Sequence, residues 1–96
     1  MKEIHLSIEG RVQHVGFRRF VLRQAEALAL SGWVRNKSDG AVELYATGEQ
    51  ANIVSFIEQC RRGPLFASVF NIDFLPVTQQ DRDITFAGTF KVVFDD

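Results

Sequence analysis

The chain has little of what would staple, anchor or interrupt a fold. Its 96 residues include one cysteine, Cys60. That excludes an intramolecular disulfide and a thiolate metal cluster, and a reducing compartment is the expected setting. No apolar run approaches the roughly 20 residues of a membrane-spanning helix. Met1-Lys2-Glu3-Ile4-His5 also lacks the apolar stretch of a secretory signal, so a cytoplasmic protein is expected. Charge of one sign is missing too: 11 Lys and Arg face 12 Asp and Glu, for a net charge of −1. No whole-molecule field therefore draws the chain to nucleic acid or an anionic membrane. Two histidines, His5 and His14, are all the sequence holds. No His/Cys/Asp cluster has metal-ligand spacing, and there is no Walker loop and no G-x-S-x-G elbow, so neither a metal nor a cofactor is expected.

What is present describes one ordinary globular domain over residues 1–96, with 46% hydrophobic and 24% charged residues. Nine Phe against one Trp and one Tyr suggest a core that is aromatic in large part. Ile4, Leu6 and Ile8 alternate with Glu3, His5, Ser7 and Glu9, which is the period of a half-buried strand ending at Gly10. The same alternation gives His5 a solvated or edge position. From Phe17 the period becomes helical, with Phe17, Val21, Ala25 and Leu28 on one stripe as far as Leu30; Ser31-Gly32 reads as the stop. Trp33 to Asn36 begins a second strand, Asp39-Gly40 is a hairpin turn, and Val42, Leu44 and Ala46 mark a third. Thr47 and Gln50 have capping-box spacing. Ile53, Phe56, Ile57 and Cys60 form a second helical stripe, closed by Arg61-Arg62 and Gly63-Pro64. On that stripe Cys60 reads as core filler. A fourth strand falls within Ala67–Phe74 with irregular alternation around Asn71. Gln79–Asp83 reads as a polar loop, and Phe90, Val92 and Phe94 as a short last strand. The order β-α-β-β-α-β predicts an α+β, ferredoxin-like sandwich: an antiparallel sheet with two helices on one face.

One segment has chemical promise. Gly10 to Arg18 joins a buried strand to a helix start, where unpaired backbone N–H groups and the positive helix end favour an anion. Arg18 would add a planar fork matching phosphate oxygens, and a cation in the first helical turn otherwise opposes the dipole. Taken on residue types alone, the same segment also fits a plain connection with a solvated arginine. Arg19 and Arg23, one turn apart, read as a solvated helix face, and Asn36 as a polar residue near a strand end.

The stretch GRVQHVGFRRF, from Gly10 to Phe20, resembles the acylphosphatase signature, close to G-x-V-Q-G-V-x-F-R. GWVRNKSDG, from Gly32 to Gly40, resembles that family's second signature, and FIEQCRRGP and the Ala67-Ser68-Val69 strand entry also match. The resemblance spans nearly the whole chain and implies the same ferredoxin-like fold. It implies that Arg18 binds phosphate, that the amides of Gln13, His14, Val15, Gly16, Phe17 and Arg18 cradle the phosphoryl oxygens, and that Asn36 orients the attacking water. The implied activity is hydrolysis of a small-molecule acyl phosphate to carboxylate and inorganic phosphate, without metal or cofactor. With no apolar stripe that demands a partner, a monomer is expected. His14 stands where the family usually has Gly. A positive φ there would favour Gly, although His is among the residues that tolerate it. His14 would then either crowd the cradle or give phosphate a side-chain contact. Two other readings share the pattern: a module that binds phosphate or carbamoyl phosphate with little hydrolysis, and an RNA-binding domain. The latter lacks the R/K-G-F/Y-G/A-F strand motif and a basic sheet face.

Overall fold

The alternation of Ile4, Leu6 and Ile8 does make a strand, β1 (Lys2–Arg11), with these side chains in the core. A computed structural model describes residues 1–95. β1 continues past Gly10 because Gly10 lies against β4 (Ser68–Phe74) at φ 137, where a Cβ would sit 2.1 Å from the Ser68 carbonyl oxygen. The pairing shifts at that point from Glu9↔Asn71 to Gly10↔Val69. Phe70 is left without a rung, and this bulge is the source of the irregular alternation around Asn71.

Helix α1 (Phe17–Ala27) buries Phe17, Val21 and Ala25 as its stripe requires. It stops at Ala27 rather than Leu30, because Ala29 turns to φ 55. The N–H of Ala29 then donates to Glu26 O (3.1 Å) and that of Leu30 to Ala25 O (2.9 Å). These two bonds form a Schellman closure with alanine in the left-handed seat that glycine usually takes. Ser31-Gly32, read as the stop, instead opens β2 (Ser31–Asn36).

β2 is followed by β3 (Val42–Gly48) and helix α2 (Gln50–Arg62), which buries Ile53, Phe56 and Cys60. The expected Thr47–Gln50 capping box does not form: Thr47 lies inside β3, and Glu49 is the N-cap without a side-chain cap bond. Burial pushes the Cys60 thiol up to about 12, which leaves it an inert core group.

Gln79–Asp83 is not a loop but a short helix, α3, nucleated by a capping box between Thr78 and Asp81. The last strand, β5 (Phe90–Val92), excludes Phe94. The sheet order is β4-β1-β3-β2-β5. The predicted ferredoxin-like sandwich is found, with one correction: β5 runs parallel to β2, so the sheet is mixed rather than antiparallel. α3 and the connection after it provide the crossover that a parallel pair needs.

Helices α1 and α2 cover the face carrying Leu6, Val34 and Leu44. α3 covers part of the other face, where the Trp33 Nε1 donates to the Asp81 carbonyl oxygen at 3.2 Å. That cover buries His5 instead of leaving it solvated. The core is mainly aliphatic: Phe17, Phe56 and Phe90 are inside, whereas Phe66, Phe70, Phe74, Phe86 and Phe94 are exposed. No helix among the described residues is long and apolar enough to cross a membrane.

Candidate functional site

Residues 12–16 carry the chain from β1 into α1. Val12 is buried and anchors the near end, and Gln13 ties the loop down by donating through Nε2 to the carbonyl oxygens of Lys37 (2.7 Å) and Ala41 (2.9 Å). His14 and Gly16 both sit in the left-handed region, at φ 63 and 77. Two such residues two apart curl the backbone tightly. His14 therefore occupies the very geometry that favours Gly.

Gly16 is the N-cap of α1, and α1 has neither a side-chain cap nor an acidic residue in its first turn. The first helical bond runs from the Phe20 N–H to Gly16 O at 3.0 Å. Among the described residues, none of the N–H groups of Val15, Gly16, Phe17 or Arg18 makes a well-formed backbone hydrogen bond outside the regular elements. A concave run of backbone donors at a positive helix end, with no acidic residue in the helix's own first turn, favours an anion.

Beside this loop lies an open cavity of about 440 Å³, lined by His14, Gly16, Phe17, Arg18 and Asn36 among others. The structure thus brings Arg18 and Asn36 together, although one starts α1 and the other ends β2. Asn36 is 7% exposed, and its side-chain Oδ1 is buried with no partner among the described residues. A buried amide oxygen left unpaired costs about 1–3 kcal/mol, which singles out Asn36 Oδ1 as a candidate acceptor for a molecule in the cavity. Gln13 and Val15, expected in the phosphate loop, are not among the residues lining the cavity; Gln13 serves the loop as a strap.

Three features were not read from the sequence. Arg19, taken as part of a solvated face, is exposed but lines the cavity. Leu22 and Val92 supply apolar wall. Asp95 reaches into the site, where its Oδ1 accepts from Arg18 Nη1 at 2.9 Å and from the Asn36 backbone N–H at 3.0 Å. Proximity in sequence gives no hint of this contact. It follows from the parallel β2–β5 pairing, which Val93 extends by donating its N–H to Val34 O at 3.0 Å.

Comparison with known proteins agrees with this architecture. The family model described as Acylphosphatase matches residues 4–92. The acylphosphatase of Moorella thermoacetica is 54% identical over 65 residues, covering 68% of this chain and 70% of that one. The crystal structure of acylphosphatase from Bacillus subtilis superposes with a TM-score of 0.83 at 34% identity, covering 97% of this chain and 99% of that one. The structure of an acylphosphatase from Coxiella burnetii gives 0.79 at 38% identity, over 95% and 90%. With its sequence matched over nearly its whole length and its fold shared, the chain belongs to the acylphosphatase family.

Proposed function

We propose that this cavity hydrolyses acyl phosphates, with the Arg18 guanidinium and the amides of residues 13–18 holding the phosphoryl group and the Asn36 side chain positioning the attacking water. One observation carries the reading. Arg18 and the Asn36 backbone N–H already converge on a single carboxylate oxygen, that of Asp95. A phosphoryl oxygen has the same charge and acceptor character, and Arg is suited to it because its planar fork can bond two oxygens at once. The uncapped N-terminus of α1 supplies the remaining donors.

The chemistry asks little beyond positioning and charge. The leaving carboxylate has a conjugate acid with a pKa of roughly 4, so it departs as an anion at neutral pH without a general acid. Transfer of the phosphoryl group then depends on in-line placement and stabilisation of the oxygens that gain charge. An Asn amide is no base, but it offers an acceptor and two donors with which to hold a water. The proton leaving that water passes to a phosphoryl oxygen of the substrate.

The test is hydrolysis of benzoyl phosphate in the presence of a chelator. Arg18→Ala should lose both phosphate binding and turnover. Asn36→Ala should lower kcat by about 10²-fold, the order expected for a misplaced reactant, while inorganic phosphate still binds. Full turnover in Asn36→Ala would remove the water-positioning role.

A further inference from the structure

The Asp95 carboxylate stands where the substrate is proposed to bind. Its Oδ1 takes a donor from Arg18 (2.9 Å) and the backbone donor of Asn36 (3.0 Å). That Asn36 N–H is available because the backbone ladder between β2 and β5 stops at the Val34↔Val92 pair. The segment carrying Asp95 is tethered two residues earlier, at Val93, so its carboxylate is presented to the cradle at the high effective concentration of an intramolecular ligand. It is not locked there. The Arg18 and Asp95 side chains are 38% and 47% exposed, and an ion pair that open to water is weak enough to be exchanged for another anion.

We infer that Asp95 is a built-in competitor, an anion that occupies the Arg18–Asn36 cradle in the free protein and is displaced by the phosphoryl group of the substrate. The inference rests on the reading of Arg18 as the phosphate holder. Its consequence is set by population: when only a fraction of molecules has an open cradle, the apparent affinity for phosphate falls by that fraction. Asp95 thereby raises KM, and it raises the inhibition constant of product phosphate by the same factor. Product phosphate in solution then competes less well for the cradle. The opposite role, in which Asp95 holds Arg18 ready and assists binding, predicts changes of opposite sign.

The full chain and its Asp95→Asn and Asp95→Ala variants are compared by benzoyl phosphate kinetics and by calorimetric titration with inorganic phosphate. Competition predicts that both variants lower KM, and the phosphate Kd with it, by about two- to fivefold, the range of an exposed ion pair. Because Asn keeps the shape and loses the charge, agreement between the two variants assigns the effect to charge. Unchanged or weaker phosphate binding in Asp95→Asn overturns the inference, and a fall in kcat/KM assigns Asp95 to positioning instead. Arg18→Ala separates the two levels of the argument. If it abolishes phosphate binding while Asp95→Asn does nothing, only the competition fails. If phosphate still binds to Arg18→Ala, the reading of the cradle fails and the competition with it.

Discussion

The side-chain amide of Gln13 donates to the carbonyl oxygen of Ala41 at 2.9 Å, joining the loop that opens α1 to the hairpin between β2 and β3. The same nitrogen reaches Lys37 O at 2.7 Å. Arg18 and Asn36 stand on the two pieces of chain so joined, and this strap fixes their separation. Gln13→Ala should destabilise the fold by about 1–2 kcal/mol, because two carbonyl acceptors lose their donor. It should lower kcat/KM for benzoyl phosphate by at least about tenfold, since small displacements of a positioned group are costly. Gln13→Glu should be worse in both assays, because a carboxylate has no proton to offer those carbonyls. Urea denaturation alongside steady-state kinetics checks both; wild-type kcat/KM in Gln13→Ala would show that the loop holds its shape without the strap.

His14 is strained where it stands. At φ 63 a residue with a Cβ is disfavoured by about 1–2 kcal/mol, whereas the entropic cost of glycine is about 0.5–1 kcal/mol. His14→Gly should therefore raise stability by up to about 1 kcal/mol, a gain in Tm of several degrees for a domain of this size. His14→Val should lose stability, since β-branched residues fit this region worst. A calorimetric Tm that falls in His14→Gly would mean that the imidazole makes a stabilising contact larger than the strain.

Behind the sheet, His5 Nε2 lies 2.5 Å from Glu43 Oε2, and Arg35 Nη2 lies 2.7 Å from Glu43 Oε1. Burial pushes the Glu43 carboxyl up, but the hydrogen bonds from His5 and Arg35 outweigh it and hold the group below the ordinary carboxylate range. The sign follows from linkage: a depressed carboxylate stabilises the fold fully above its unfolded pKa of about 4.3, and that contribution is lost as pH falls through the folded value. Stability measured by urea titration should thus decline below about pH 4.3. Glu43→Gln should cost about 3 kcal/mol at neutral pH by leaving the Arg35 guanidinium without its carboxylate, and should flatten the acid-side decline. Trp33, the one tryptophan, packs edge-on against His5 at 5.9 Å and reports the transition by its fluorescence. An unchanged slope in Glu43→Gln would assign the acid sensitivity to other carboxylates.

The sequence was most readable where one physical cause acted alone. Period sufficed to place β1 and β3, and period with the Gly63-Pro64 stop to place α2 and its end; the loop before α1 could be placed because a strand must hand over to a helix there. Reading failed where a side chain took an unusual seat. Ala29 closes α1 in a conformation usually marked by glycine, so the periodicity runs three residues beyond the end of the helix. α3 is five residues long and is capped by Thr78 with Asp81 rather than the usual Glu or Gln. His5 is buried only because α3 folds over it, and Asp95 meets Arg18 only because β5 runs parallel to β2. Contacts of that kind depend on topology, which local periodicity does not encode.

Ala29 offers a separate check on that account. It is exposed, at φ 55, and closes the Schellman pair of bonds. Ala29→Gly removes the Cβ penalty of about 1–2 kcal/mol and adds up to about 1 kcal/mol of backbone entropy. Stability should rise by about 0.5–1 kcal/mol with no change in activity, because the site lies at the other end of α1. Loss of stability on thermal or urea unfolding would contradict the left-handed closure.

Arg18→Lys tests whether the cradle needs a fork or only a charge. Lysine keeps the positive charge that opposes phosphate and the Asp95 carboxylate, but presents it as a single ammonium point on a flexible stem. If charge alone held the phosphoryl group, KM and kcat would both stay near wild type. The geometry argues otherwise: Asp95 engages Nη1 alone, which leaves the other guanidinium nitrogens to bond phosphoryl oxygens in parallel once Asp95 has left. Losing that second bond should weaken phosphate binding by about tenfold. Losing the fixed direction should lower kcat further, because an in-line displacement depends on how the phosphoryl group is turned. Phosphate titration and benzoyl phosphate turnover measured on one preparation separate the two effects. A lysine variant as active as wild type would reduce the role of Arg18 to its charge.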